Sequence, residues 1–126
     1  MTGPADETYR LIETGDPEAA LRLIEPLGRA PGAGHPELAA YAQALRALGR
    51  ADEALPVYER ALQVAPQSPI AEHNLASVNA ELGRYGEAEA AARRAVSKGL
   101  DAPDTWLVLA HALEGQGRFD EAESAY

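Results

Sequence analysis

Apolar residues recur along the chain with the spacing of amphipathic α-helices, and the helical stretches come in pairs. In one stretch Leu38, Tyr41, Ala42 and Leu45 occupy positions i, i+3, i+4 and i+7, which places them on one helix face. Short runs of glycine, proline and aspartate separate the helical stretches. No strand is predicted, so the pattern indicates an all-α fold.

One short motif occurs four times with a fixed period. Its glycines, and the alanines five positions after them, recur at one constant interval, with no insertion or deletion. They are Gly15, Gly49, Gly83 and Gly117, and Ala20, Ala54, Ala88 and Ala122. A strict period of about 20–50 residues indicates stacked repeats rather than one closed core. We expect repeats at about residues 1–34, 35–68 and 69–102, and a truncated repeat at 103–126.

Residues that favour the start or the end of a helix predict the bounds of the individual helices. Gly15 is expected to end the first helix in a left-handed conformation, and Asp16 and Pro17 to begin the second. Pro26 should kink this second helix or end it early. The later helices are predicted from Pro36 to about Leu48, from Asp52 towards Pro66, and over Ile70–Leu82, Tyr85–Lys98, Asp104–Gln116 and Phe119 onward.

Two polar residues interrupt the apolar pattern of the third repeat. Glu72 and Asn79 stand at positions that should be apolar. We expect them at a half-exposed helix boundary, where water can solvate polar groups. The alternative is that they contact a docked partner.

The composition of the chain excludes several classes of function. The 126 residues carry a net charge of −9, which opposes binding to phosphate backbones and to anionic lipid. The absence of cysteine excludes disulfides and thiolate chemistry. No apolar run approaches the roughly 20 residues of a membrane span, and residues 1–13 lack the features of a secretory signal. We therefore expect a soluble, cytoplasmic protein that binds neither nucleic acid nor membrane.

The 34-residue period and its small residues resemble the tetratricopeptide repeat. The residues that match the family's positions are the small Ala42, Ala76 and Ala110, the turn glycines Gly49, Gly83 and Gly117, and the closing Pro66. The resemblance implies a right-handed superhelical solenoid of antiparallel helix pairs, with three full repeats and a truncated fourth. Because the family serves many roles, the resemblance is more specific for fold than for function.

The resemblance also implies a concave groove lined by the first helix of each pair. Such a groove suits an extended peptide or a partner helix. The residues expected to bind the peptide are Gln43, Arg46, Ile70, His73, Asn74, Ser77, Leu107 and His111. Further groove positions are Ala39, Ala40, Glu81, Asp104, Val108 and Glu114. Of the positions with which some family members hold a C-terminal carboxylate, only Asn74 matches, so we do not expect a chaperone-tail binder.

The residue pattern offers little for catalysis. His73 and His111 are separated by one repeat and one helical turn and can both face the groove, whereas histidines that bind metal from one helix are typically four apart. The glycines are turn residues, and no glycine-rich phosphate loop follows a strand. We expect no catalytic residue, no metal ligand and no cofactor.

The leading interpretation is a non-catalytic protein-interaction module, a scaffold or adaptor. The alternative, which the resemblance implies, is an N-terminal docking or regulatory module of a larger enzyme, such as a glycosyltransferase, sulfotransferase or oxoglutarate-dependent oxygenase. Because the sequence stops within a predicted helix, we infer that the natural protein continues beyond Tyr126. An apolar face that includes Phe119 and Tyr126 also favours pairing with a second copy.

Overall fold

The computed structural model describes residues 3–125, and these residues fold into eight α-helices without a strand. The helices are α1 (Pro4–Glu13), α2 (Pro17–Gly28), α3 (His35–Ala47), α4 (Ala51–Val64), α5 (Pro69–Glu81), α6 (Tyr85–Ser97), α7 (Pro103–Gly115) and α8 (Phe119–Ala125). The prediction of an all-α fold is confirmed. The chain divides into two compact units, of which the first ends at Ala65 and the second begins at Pro66.

Glycines in a left-handed conformation make the turn within each helix pair. The backbone angle φ is 87° in the first turn and 76° in the other three, at Gly15 and at Gly49, Gly83 and Gly117. After Gly49, the N–H of Arg50 donates to the carbonyl of Leu45 at 2.9 Å, and the other turns repeat this bond. The arrangement satisfies carbonyls at the end of the first helix, which only an unstrained left-handed residue permits. The predicted role of the four glycines is confirmed.

Small buried residues allow the helices to pack closely. The alanines that recur with the repeat period are at most 1% exposed, and they are Ala42, Ala76 and Ala110 on first helices and Ala20, Ala54, Ala88 and Ala122 on second helices. Short side chains at these contacts bring helix axes towards the lower end of the roughly 8–10 Å range. In α1 the equivalent residue is Thr8, which is buried and donates its hydroxyl to the carbonyl of Pro4 at 2.7 Å.

In the first unit, α2 continues past its internal proline. Pro26 lies two residues before the end of the helix, so of the two expectations, a kink or an early end, the early end is wrong. The proline removes one backbone bond of the helix, and only two helical residues follow it. The loop that follows is held by Arg60 of α4, which donates to the carbonyls of Gly28, Ala30 and Pro31 at 3.0, 2.6 and 3.0 Å.

In the second unit, Glu72 is buried rather than solvated. Its side chain is 2% exposed and lies against two cations, Arg94 of α6 and Lys98 directly after α6. Nε of Arg94 donates to both carboxylate oxygens at 3.1 and 3.0 Å, and Nζ of Lys98 donates to one of them at 2.8 Å. Nζ of Lys98 also donates to the carbonyl of Pro66 at 2.7 Å. The expectation of a half-exposed position was wrong because Arg94 and Lys98 supply two positive charges that offset the desolvation of the carboxylate.

Asn79 is also buried, contrary to the same expectation, and is 4% exposed. Its Nδ2 donates to the carbonyl of Leu75 at 3.0 Å, which is a bond back along its own helix. Its Oδ1 is buried and has no protein hydrogen-bond partner within residues 3–125. The equivalent positions of the neighbouring pairs hold the buried Leu45 and Leu113. The third pair therefore keeps an amide where its neighbours place an apolar side chain.

Candidate functional site

The accessible side chains of α5 form one strip along the helix. Beyond the initial Pro69, the residues that are not buried are Ile70, His73, Asn74, Ser77 and Glu81. Their spacing of i, i+3, i+4, i+7 and i+11 places them on a single face. All five are groove positions implied by the resemblance. The strip combines an apolar group, Ile70 at 49% exposed, with imidazole, amide and hydroxyl groups.

Helix α7 lies beside α5, since the two helices contact each other within the second unit. The accessible residues of α7 include Asp104, Leu107, Val108, His111 and Glu114. The first four are the equivalents, one repeat later, of the first four residues of the α5 strip. Nδ1 of His73 and Oγ1 of the buried Thr105 share a hydrogen bond of 3.0 Å. This bond connects α5 to α7 at the edge of the α5 strip.

Leu107 also borders a cavity between α7 and α8. The cavity has a volume of about 460 Å³ and is lined by Pro103, Trp106, Leu107, Ser124 and Ala125. The side chain of Leu107 is 50% exposed. The sequence pattern predicted Leu107 on the groove face, but it gave no signal of the cavity, which depends on how α7 and α8 pack.

The two histidines of the second unit have different neighbours. The ring of His111 packs edge-on against the ring of Tyr85, with centroids 5.7 Å apart and an interplanar angle of 83°. His73 instead bonds with Thr105. Within residues 3–125 no group of three His, Asp or Glu side chains could hold a metal ion. The two imidazoles therefore take part in separate packing contacts.

In the first unit, Gln43 and Arg46 both lie against Tyr58 of α4. The Tyr58 hydroxyl donates to Oε1 of Gln43 at 3.0 Å, and the guanidinium carbon of Arg46 lies 6.0 Å from the centre of the Tyr58 ring. This distance is within the range of a cation–π interaction. Sequence reasoning missed Tyr58 as their common neighbour because the contact depends on helix packing. Ala39 and Ala40 are buried, so these two groove positions offer no ligand surface.

Three carboxyl groups with a lowered pKa lie on the second helices of the pairs. The pKa of Glu89 is lowered mainly by a hydrogen bond from Gln116, which donates at 2.9 Å, and then by Arg93 and Arg118. The pKa values of two exposed carboxyls, those of Glu53 and Glu121, are lowered mainly by hydrogen bonds from the arginines that precede their helices. All three carboxylates are stabilised in the charged form by hydrogen bonds and by nearby arginine side chains.

Helix pairs, left-handed turn glycines and buried alanines that recur with one period define a helical-repeat protein. No helix formed by residues 3–125 is both long and apolar enough to cross a membrane. Two family models described as "Tetratricopeptide repeat" match the chain, one over residues 35–98 and the other over residues 73–126. The chain belongs to the tetratricopeptide repeat family. Repeats of this family are typically non-catalytic protein-interaction modules.

Solved structures with the same fold include MamA and YrrB. MamA from Desulfovibrio magneticus RS-1 (residues 41 to the end) is 22% identical with a TM-score of 0.82, over 99% of this chain and 73% of that one. A second MamA crystal structure is 17% identical with a TM-score of 0.84, over 97% and 67%. YrrB is 15% identical with a TM-score of 0.83, over 94% and 61%. At these identities the similarity concerns the fold. No curated protein sequence matches this chain significantly.

Proposed function

We propose that the chain is an adaptor that binds a peptide segment of a partner protein on the accessible faces of α5 and α7. The observation that carries the proposal is the position of Ile70 and Asn74 one helical turn apart on the same accessible face. Ile70 is 49% exposed, and Asn74 is half-buried. An amide beside an exposed apolar group suits a peptide, whose backbone needs donors and acceptors and whose side chains need apolar contact.

The other accessible residues of the two helices add hydrogen-bonding groups. His73, Ser77 and His111 contribute an imidazole, a hydroxyl and a second imidazole, and Leu107 contributes apolar surface. The fold is one that supports such a role, since YrrB is described as "a TPR protein with an unusual peptide-binding site". Peptide binding by this chain is an inference from its own surface composition.

A second contact surface of the same kind is assigned to Gln43 and Arg46 in the first unit. Both side chains are half-buried, and both are positioned by Tyr58, which is 1% exposed. A side chain held in one place loses less conformational entropy when a ligand binds. This surface provides an amide and a guanidinium group for a polar part of the partner.

Selection of ligands from a phage-displayed peptide library tests the proposal. Affinity for a selected peptide is then measured by fluorescence anisotropy with the wild-type chain and with variants. We expect Asn74→Ala and Ile70→Ser each to weaken binding by about fivefold or more, which corresponds to about 1 kcal/mol. Gln43→Ala and Arg46→Ala test the first unit in the same way.

Gln63→Ala is the matched control, because it removes an amide from an exposed position of α4. Circular dichroism of each variant separates a binding defect from a folding defect. Equal affinity of every variant and of the wild type would place the binding surface elsewhere.

Self-association is a second proposal, favoured by the exposure of Phe119. This side chain is 66% exposed at the start of α8, and large exposed apolar groups favour association. Tyr126, which the sequence also placed on this face, lies outside the described residues. Light scattering over a range of concentrations tests the proposal with Phe119→Ser as the comparison. A strict monomer at all concentrations would exclude it.

A further inference from the structure

The cavity between α7 and α8 is distinct from the α5 strip, and Leu107 belongs both to the cavity lining and to the accessible side of α7. Its volume of about 460 Å³ falls within the range of roughly 300–1,000 Å³ of ligand-binding clefts. Two smaller cavities, of about 210 and 170 Å³, also border Trp106. Carbon atoms dominate the lining of the main cavity, which is formed by Pro103, Trp106, Leu107, Ser124 and Ala125. An apolar side chain is therefore the group that fits best.

The segment that forms this cavity is strongly acidic. Residues 101–125 contain six carboxylates and one cation, namely Asp101, Asp104, Glu114, Asp120, Glu121 and Glu123 against Arg118. That cation is already engaged, because Arg118 donates to Glu89 at 2.6 Å and to Glu121 at 2.7 Å. The segment thus carries a formal charge of −5 out of the −9 of the whole chain.

We propose that the cavity is the docking site for a basic amphipathic segment of a partner protein. The partner inserts an apolar side chain beside Trp106 and places lysine or arginine side chains near carboxylates of the acidic segment 101–125. Burial of the apolar side chain supplies affinity, and the complementary charge selects the partner and speeds its approach. Trp106 is held in place for this contact, since its indole N–H donates to Oδ1 of Asp101 at 3.0 Å.

Trp106 gives a direct readout, because it is the only tryptophan of the chain. The probe is a peptide about 18 residues long with leucine on one helical face and lysine on the other, blocked at both ends and free of aromatic residues. A peptide with glutamate in place of lysine is its counterpart. We expect the lysine peptide to cause a saturable blue shift of Trp106 emission and to bind at least tenfold more tightly than the glutamate peptide. Raising the ionic strength from about 0.05 to about 0.5 M should weaken this binding, because salt screens the charges.

Two alanine-to-leucine variants distinguish peptide binding in the cavity from binding elsewhere on the surface. Ala125→Leu fills the cavity without a change of charge and should abolish the blue shift. Ala90→Leu makes the same change at an exposed position of α6 and should leave the blue shift as in the wild type. Circular dichroism confirms that both variants are folded.

Three outcomes would overturn the proposal. The first is equal binding of the two peptides, and the second is binding with unchanged Trp106 emission. The third is an emission shift that depends on protein concentration in the absence of peptide, because that result would assign the cavity to a second copy of the chain.

Discussion

The loss of the two cations around Glu72 should destabilise the chain far more than the loss of Glu72 itself. In the double variant Arg94→Met, Lys98→Met, the Glu72 carboxylate stays 2% exposed but loses all three of its bonds to positive groups. An uncompensated buried charge costs about 3–5 kcal/mol. Folded proteins of this size have about 5–15 kcal/mol of stability in total, so the effect is large and measurable.

The reverse substitution, Glu72→Leu, should change the free energy of unfolding by no more than about 1 kcal/mol, because replacing a buried ion pair by an apolar group is often neutral or stabilising. Both cations can find other partners when the carboxylate is absent. Arg94 is 49% exposed and can turn to water, and Lys98 keeps its bond to the Pro66 carbonyl. The equivalent residue of the preceding pair is Leu38, which is fully buried, so the fold accepts leucine at this position.

Urea unfolding followed by circular dichroism gives the free energies of unfolding for these variants. Arg84→Met is the control, because its pair with Glu87 is exposed and 3.8 Å long, and such pairs contribute about 0–1 kcal/mol. If Glu72→Leu destabilises the chain as much as the double variant does, the reasoning is refuted. The ion network would then contribute net stability rather than only compensate for desolvation.

Three further predictions follow from glycines and from one carboxylate. The pKa of Glu89 is lowered from its ordinary 4.5, so its contribution is present above that pH and lost as pH falls through the lower folded-state pKa. Glu89→Gln should therefore lose about 1–2 kcal/mol at neutral pH, and this loss should shrink as pH falls below 4.5. A pH-independent difference between the unfolding curves would contradict this. Gly83→Ala should lower the free energy of unfolding by about 1 kcal/mol, because φ is 76° there, whereas Gly86→Ala in α6 has open space and should raise it by about 0.5–1 kcal/mol. Thermal unfolding of the two variants measures both changes in stability, and changes of the same sign would contradict the prediction. Gly28→Ala should cost about 1–3 kcal/mol in urea unfolding, because its Cβ would lie 2.5–2.7 Å from Tyr41 side-chain atoms, and a more stable variant would count against it.

The fold could be predicted because its determinants are local and repeated. A glycine such as Gly83 is required by the backbone conformation of one turn, and an alanine such as Ala88 by the closeness of two helices in one pair. Each requirement is met within one helix pair, and the 34-residue period presents it four times. Errors at single positions, such as Pro26, therefore do not affect the assignment of the architecture.

The environment of single side chains could not be predicted in the same way. Glu72 is polar at an apolar position, and its burial depends on Arg94 and Lys98, which lie 22 and 26 residues further on. A signal existed in the spacing of i, i+4 between Arg94 and Lys98, because that spacing at the end of a helix places both cations on one face. Tyr58, which positions Gln43 and Arg46, gave no comparable signal, since many helical tyrosines are buried without such contacts.

The Glu72 network has a consequence for how these repeats can be recombined. The carboxylate, its two cations and the Pro66 carbonyl all fall within residues 66–98, so the third helix pair holds a complete matched set. We expect this pair to be transferable as one block into another array. A crossover at Gly83 that joined its first helix to the second helix of a neighbour would separate the carboxylate from its cations. Chimeras of this protein should therefore be cut between helix pairs and not within them.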